Sequence, residues 1–157
     1  MNSTGQDSNI ELLVIGFGNT LRADDGAGPL VADAIQALNL AGVSAISCGL
    51  LTPELAEPLS RARLAIFVDA ALDAAFQVRL EEIEPAASAQ ILAHSADART
   101  LLALARDVFG HVPSSWLLTI PARNVGIGDN LSAATSSGVR EAVERVKRIY
   151  FDQRGGG

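Results

Sequence analysis

Two nearly unbroken apolar runs, ELLVIG at 11–16 and LAIFVD at 64–69, constrain this chain more than anything else in it. A strand with one face in water alternates apolar and polar residues, whereas a run without a polar side has to be covered on both faces, as central strands of a parallel sheet are. Both runs fall far short of the roughly 20 residues that a membrane helix needs, as does every other apolar stretch. The chain therefore needs helices on both sides of a sheet, and no membrane is expected as a partner.

Segments 43–48, 77–82 and 115–121 also read as strands. Of these, 77–82 alternates, with Val78, Leu80 and Ile83 set against Gln77, Arg79 and Glu81, which marks an edge strand. Helical periodicity links Leu30, Val31, Ala34, Ile35 and Leu38, then Leu101, Leu102, Ala105, Val108 and Phe109, and finally Val139, Val143, Val146 and Ile149. Ser132 is placed to cap the last helix. A shorter helix is expected over 53–60, opening on Pro53, which the first helical position tolerates. The order βαβαββαβα predicts an α/β protein, a three-layer α/β/α sandwich around a five-stranded, mostly parallel twisted sheet with one antiparallel edge strand. At 157 residues, 48% of them hydrophobic, the chain can bury one core but not two, so 1–157 is read as a single domain. Residues 1–9 and the glycine tail 154–157 are expected to fray.

Composition removes several classes of function. Aromatic residues make up only 4% of the chain and the net charge is −6, so neither base stacking nor a phosphate-tracking groove is supported and no nucleic acid is expected. The one cysteine, Cys48, cannot form an internal disulfide, and no charged start followed by an apolar segment resembles a secretory signal, so a cytoplasmic protein is expected; it is read as a monomer.

Chemistry in such folds collects at the carboxyl ends of the central strands. The turn GFGNTLRADDGAG carries Asp24 and Asp25 just before a helix, and Gly18 and Gly26 in it are expected to adopt conformations or close contacts that a Cβ would obstruct. Asp69 ends the second apolar run, and His94 stands in the loop segment AHSADA. If the first and third strands are neighbours, Asp25 and Asp69 face one crevice, and a loop folding over it brings in His94. Two carboxylates and an imidazole then form a divalent-metal site with coordination positions left open. Simpler roles compete. Asp24 reads best as a helix N-cap with its charge at the positive end of the dipole. Asp69 can be a turn residue bonded to its own backbone. His111 reads as solvated, and Cys48 as a small core residue with no cation beside it to activate the thiol.

Other motifs fail on inspection. A dinucleotide fingerprint starting at Gly16 would need glycine where Leu21 stands, and there is no phosphate loop, no G-x-S-x-G elbow and no H-E-x-x-H helix. No organic cofactor is expected.

The stretch VIGFGNTLRADDGAGPLVAD resembles the N-terminal signature of the hydrogenase maturation endopeptidases, where a strand runs into G-x-G-N and a D-[DE]-G-x-G turn opens the first helix. The resemblance continues through LAIFVDA, a histidine after the fourth strand, a strand ending in Pro121, and Leu131-Ser132 before the last helix. It implies removal of the C-terminal extension from a nickel-iron hydrogenase large-subunit precursor, with the nickel carried by that precursor and bound by Asp25, Asp69 and His94. It also implies substrate recognition after the second strand. There, where many relatives read D-G-G followed by Thr or Ser, this chain has Cys48, Gly49, Leu50 and Leu51 before Thr52, so Gly49 and Thr52 are the recognition candidates. Two other classes compatible with the residues are a magnesium-dependent small-molecule hydrolase using the aspartates and a non-catalytic nickel-dependent chaperone on the same fold.

Overall fold

A computed structural model describes residues 9–72, 77–88, 97–128 and 130–155. Strands β1 (Ile10–Phe17), β2 (Val43–Cys48), β3 (Ala62–Leu72), β4 (Arg79–Ile83) and β5 (Ser114–Ala122) form one sheet in the order β2-β1-β3-β5-β4. All pairings are parallel except that of β4, which runs antiparallel to β5 at the edge. The two apolar runs lie side by side: Leu12 pairs with Leu64 and Val14 with Ile66. Leu13, Val14, Ile15, Ala65, Ile66, Phe67 and Val68 have no exposed surface.

Among the described residues four helices supply the outer layers. On one face α1 (Ala27–Ala37) and α4 (Ala133–Gly155) set Val31, Ile35, Ala142 and Val146 against Leu12, Val14, Ile66 and Leu118. On the other, α2 (Ala56–Ser60) and α3 (Ala98–Leu104) bring Leu59, Leu101 and Leu102 onto Leu13, Ile15, Ala65 and Phe67. A 3-10 turn, Pro53–Leu55, leads into α2 with proline at its start. This is the expected three-layer sandwich. Ser132 caps α4 as expected, its Oγ accepting from the Thr135 amide at 3.3 Å and its carbonyl from the Ser136 amide at 2.9 Å. Among the described residues no helix is long and apolar enough to cross a membrane.

Local details differ from the sequence expectation where the chain leaves ideal periodicity. Leu30 lies one position off the inner stripe of Ala27, Val31 and Ile35, and Leu38 lies past the end of α1; both are exposed. A π turn, Ala105–Phe109, extends α3, and its wider winding leaves Val108 and Phe109 exposed where a continued α-helix would have turned them inward. Ile83 packs on the face opposite Val78 and Leu80, as the odd spacing along a strand requires. The tail does not fray at Arg154: α4 runs through Gly155, and the Arg154 guanidinium meets Glu11 at 2.8 Å and lies 5.2 Å from the Tyr150 ring centroid. The start of β1 lies beside the last turns of α4 and gives that arginine its partner.

Candidate functional site at the carboxyl edge

The turn after β1 is built by backbone constraints. Gly18 has φ +147 and a Cβ there would fall on the Asp25 carbonyl oxygen, so no other residue fits without moving the turn. Gly26 keeps an ordinary φ of −82, and its constraint is contact, since a Cβ would approach the Thr20 Cα to 3.1 Å. Asn19 Oδ1 accepts from the Leu21 amide at 2.9 Å, an Asx turn, while the Asn19 amide donates to Asp25 Oδ2 at 2.7 Å. The chain then winds through a 3-10 turn, Ala23–Gly26, into α1. That 3-10 turn packs against β3.

Asp69 lies within β3 and not beyond it: the strand continues to Leu72 and pairs Asp69 with Thr119. Its Oδ1 accepts from the Ala70 amide at 2.8 Å, so the local backbone bond expected of a turn aspartate is present inside a strand. Partial burial pushes the carboxyl pKa up, the Ala70 N–H pulls it down, and the charge of Asp25 adds to the rise, leaving it at about 6. Asp69 thus stands in β3 beside the end of β1, near enough to Asp25 for the charge of one carboxylate to act on the other. Two partly desolvated carboxylates that repel each other lower their energy when a cation comes between them, and their hard oxygen donors suit a divalent ion. His94 lies outside the described residues. Among the described residues no group of three or more His, Cys, Asp and Glu could hold a metal.

Asp24 departs from its expected role. It caps neither the 3-10 turn nor α1; its carboxylate is fully buried and turned toward the segment that joins β5 to α4. Oδ2 accepts from the amides of Arg123 at 2.7 Å and Asn124 at 2.8 Å and from the Ser132 hydroxyl at 2.9 Å, and Oδ1 accepts from the Ser132 amide at 2.7 Å. Burial alone would raise its pKa, but these donors outweigh it and hold the carboxyl at about 2. Its charge does sit at a helix N-terminus, that of α4. Nothing in the DD dipeptide signals this, because the donors lie about 100 residues away.

A groove of about 520 Å³ runs past Gly18, Leu21, Pro29, Cys48, Gly49 and Leu50, and Leu21 and Leu50 are exposed. Gly49 has open space where a Cβ would go. Thr52 precedes the Pro53–Leu55 turn with extended backbone and does not line the groove. A second concavity of about 590 Å³, lined by Glu11, Trp116 and Arg154 among others, lies at the amino edge of the sheet, remote from these aspartates. Burial pushes the Cys48 thiol pKa up, in keeping with a packed residue and not a nucleophile. His111 is exposed, yet its Nε2 lies 2.9 Å from the Ala62 carbonyl oxygen, so it ties down the start of β3 and is not simply solvated.

Fold and site together define a class: an α/β/α sandwich with an aspartate pair at the carboxyl edge of its two innermost parallel strands. No family model and no curated protein matches the chain in sequence. Among solved structures, it is similar to the hydrogenase 2 maturation peptidase of a Thaumarchaeota archaeon, with a TM-score of 0.68 and 24% identity over 89% of this chain and 97% of that one. The nickel-iron hydrogenase maturation protease HycI of Thermococcus kodakarensis superposes with a TM-score of 0.70 and 20% identity, covering 89% of this chain and 92% of the other. For the hydrogenase maturating endopeptidase HybD of E. coli the values are 0.67 and 18%, covering 93% and 94%. The chain has the fold of the hydrogenase maturation proteases.

Proposed function

We propose that this protein is a cytoplasmic, monomeric endopeptidase that removes the C-terminal extension of a nickel-iron hydrogenase large-subunit precursor after nickel has been inserted. The observation that carries the reading is the closeness of Asp25 and Asp69 beside the end of β1, with Asp69 held at about 6 by burial and in part by its neighbour's charge. A site of this kind has unmet demand for a cation. The fold shared with solved maturation proteases supports the same reading, as does the signature around Asp25.

In this mechanism the nickel arrives as part of the substrate, already among thiolates. Asp25, Asp69 and His94 would hold it and so register the scissile bond against it, and the metal would supply either polarisation of the scissile carbonyl or an activated water. The chain alone should hold nickel weakly, since a small mixed O and N donor set leaves several positions open. The apolar groove beside Gly49 takes the polypeptide on the other side of the cut. Because Gly49 has free space around it, Gly49→Leu should leave stability within about 0.5 kcal/mol and raise KM for the precursor. An unchanged KM would remove Gly49 from recognition.

Purified protein incubated with precursor, with and without nickel, and followed by mass spectrometry of the released fragment tests the whole reading. The nickel-loaded precursor should be trimmed by the native protein and left intact by Asp69→Asn and His94→Ala. Cleavage of the nickel-free precursor would contradict the proposed trigger, and full activity of His94→Ala would remove that ligand.

A further inference from the structure

We propose that Asp24 is a positioning residue, whose buried carboxylate ties the turn carrying Asp25 to residues 123, 124 and 132 between β5 and α4 and so holds the Asp25 carboxylate in place before substrate arrives. The role of Asp25 in this proposal rests on the function proposed above; the tie itself is geometric. A carboxylate with no exposed surface persists only when its oxygens are satisfied, and here amides of Arg123, Asn124 and Ser132 and the Ser132 hydroxyl converge on them. The main chain doubles the link. Asp24 N–H donates to the Asn124 carbonyl at 2.7 Å, Ala23 N–H to the Gly128 carbonyl at 2.6 Å, and Gly128 N–H to the Leu21 carbonyl at 2.9 Å.

Ala23 between these bonds has φ +49, a left-handed conformation that a residue with a side chain keeps where its surroundings over-determine it. With residues 21, 23 and 24 bonded to the distant loop, the peptide leading into Asp25 has little freedom left. The Asp25 side chain then accepts the Asn19 amide at 2.7 Å. A plain N-cap would require nothing from the loop before α4. Adjacent aspartates thus divide the work: one is buried and anchors, and the next is presented to substrate.

Asp24→Asn tests this, because it keeps the side chain's shape and replaces one acceptor oxygen by a donor facing backbone N–H groups. On the full chain with nickel-loaded precursor, kcat should fall about ten-fold or more while KM changes less than about three-fold, at a temperature where the variant is fully folded. In NMR spectra of the protein alone, the Asn19 amide proton reports its bond to Asp25; it should move toward its position in Asp25→Ala while amides of β1 and β3 stay in place. Native kcat with an unmoved Asn19 resonance overturns the proposal, and so does an activity loss no larger than the unfolded fraction. If Asp24→Asn does not fold, Ser132→Ala, which removes one donor to Asp24, carries both readouts with an expected loss in kcat of about two- to five-fold. A native protein that leaves the precursor uncut refutes the protease reading, and the Asn19 resonance then decides the tie by itself.

Discussion

Asp24, Asp25 and Asp69 show how one residue type takes opposite roles from its surroundings. The Asp24 carboxyl sits at about 2, below its ordinary 3.8, so its contribution of about 2 kcal/mol is complete above that ordinary value and disappears as pH falls through about 2. Asp24→Ala should therefore cost about 2–4 kcal/mol at neutral pH, because it also leaves the partly buried N–H groups of Arg123, Asn124 and Ser132 without their acceptor; urea unfolding measures it, and a cost below about 1 kcal/mol would mean that water replaces the carboxylate. Asp69 has the reverse sign. Its folded pKa of about 6 exceeds 3.8, so ionisation across that window lowers stability. Asp69→Asn should be more stable than the native protein above about pH 6 and gain nothing below about pH 4. Thermal melts at both extremes check this, and an Asn variant no more stable at neutral pH would show that the charge carries no strain.

At the scale of elements, the N-terminus of α1 decides how the site is assembled. Gly28 presses that helix onto the ends of β1 and β3, where a Cβ would lie 2.5 Å from the carbonyl oxygens of both Phe17 and Val68. Alanine normally gains about 1 kcal/mol over glycine within a helix. Here the clash dominates, since backbone is what must move, and Gly28→Ala should lose about 3 kcal/mol in chemical denaturation. Stability equal to or above native would show that α1 can shift outward freely. The same scale explains the errors of periodicity: apolar spacing located the three longer helices, but a π turn after α3 and the end of α1 before Leu38 leave Val108, Phe109 and Leu38 exposed.

For the whole molecule, the two hydrophobic clusters lie on opposite faces of the same strands. Val14 belongs to one and Phe67 to the other, on β1 and β3, which pair with each other. Neither cluster can open without exposing the sheet that both cover. Val14→Ala should cost about 1–3 kcal/mol and Phe67→Ala about 3–5 kcal/mol, and each should shift one common unfolding transition. Two separated transitions in either variant would show that the chain is not a single cooperative domain.

Layer architecture, strand order along the chain and the identity of the inner strands were determined by the sequence alone, because burial on both faces is a one-dimensional pattern that residues 11–16 and 64–69 display without reference to anything distant. The closeness of Asp25 and Asp69 followed once those runs were taken as neighbours, since parallel strands bring their carboxyl ends to one edge. Only the tertiary structure decided which aspartate of the DD pair turns inward and how far the Asp69 proton is held. Those outcomes depend on the amides of Arg123, Asn124 and Ser132, and on charge and burial at a crevice made by separate strands. Hydrogen-bond donors brought together across about 100 residues leave no mark in the local pattern of either segment.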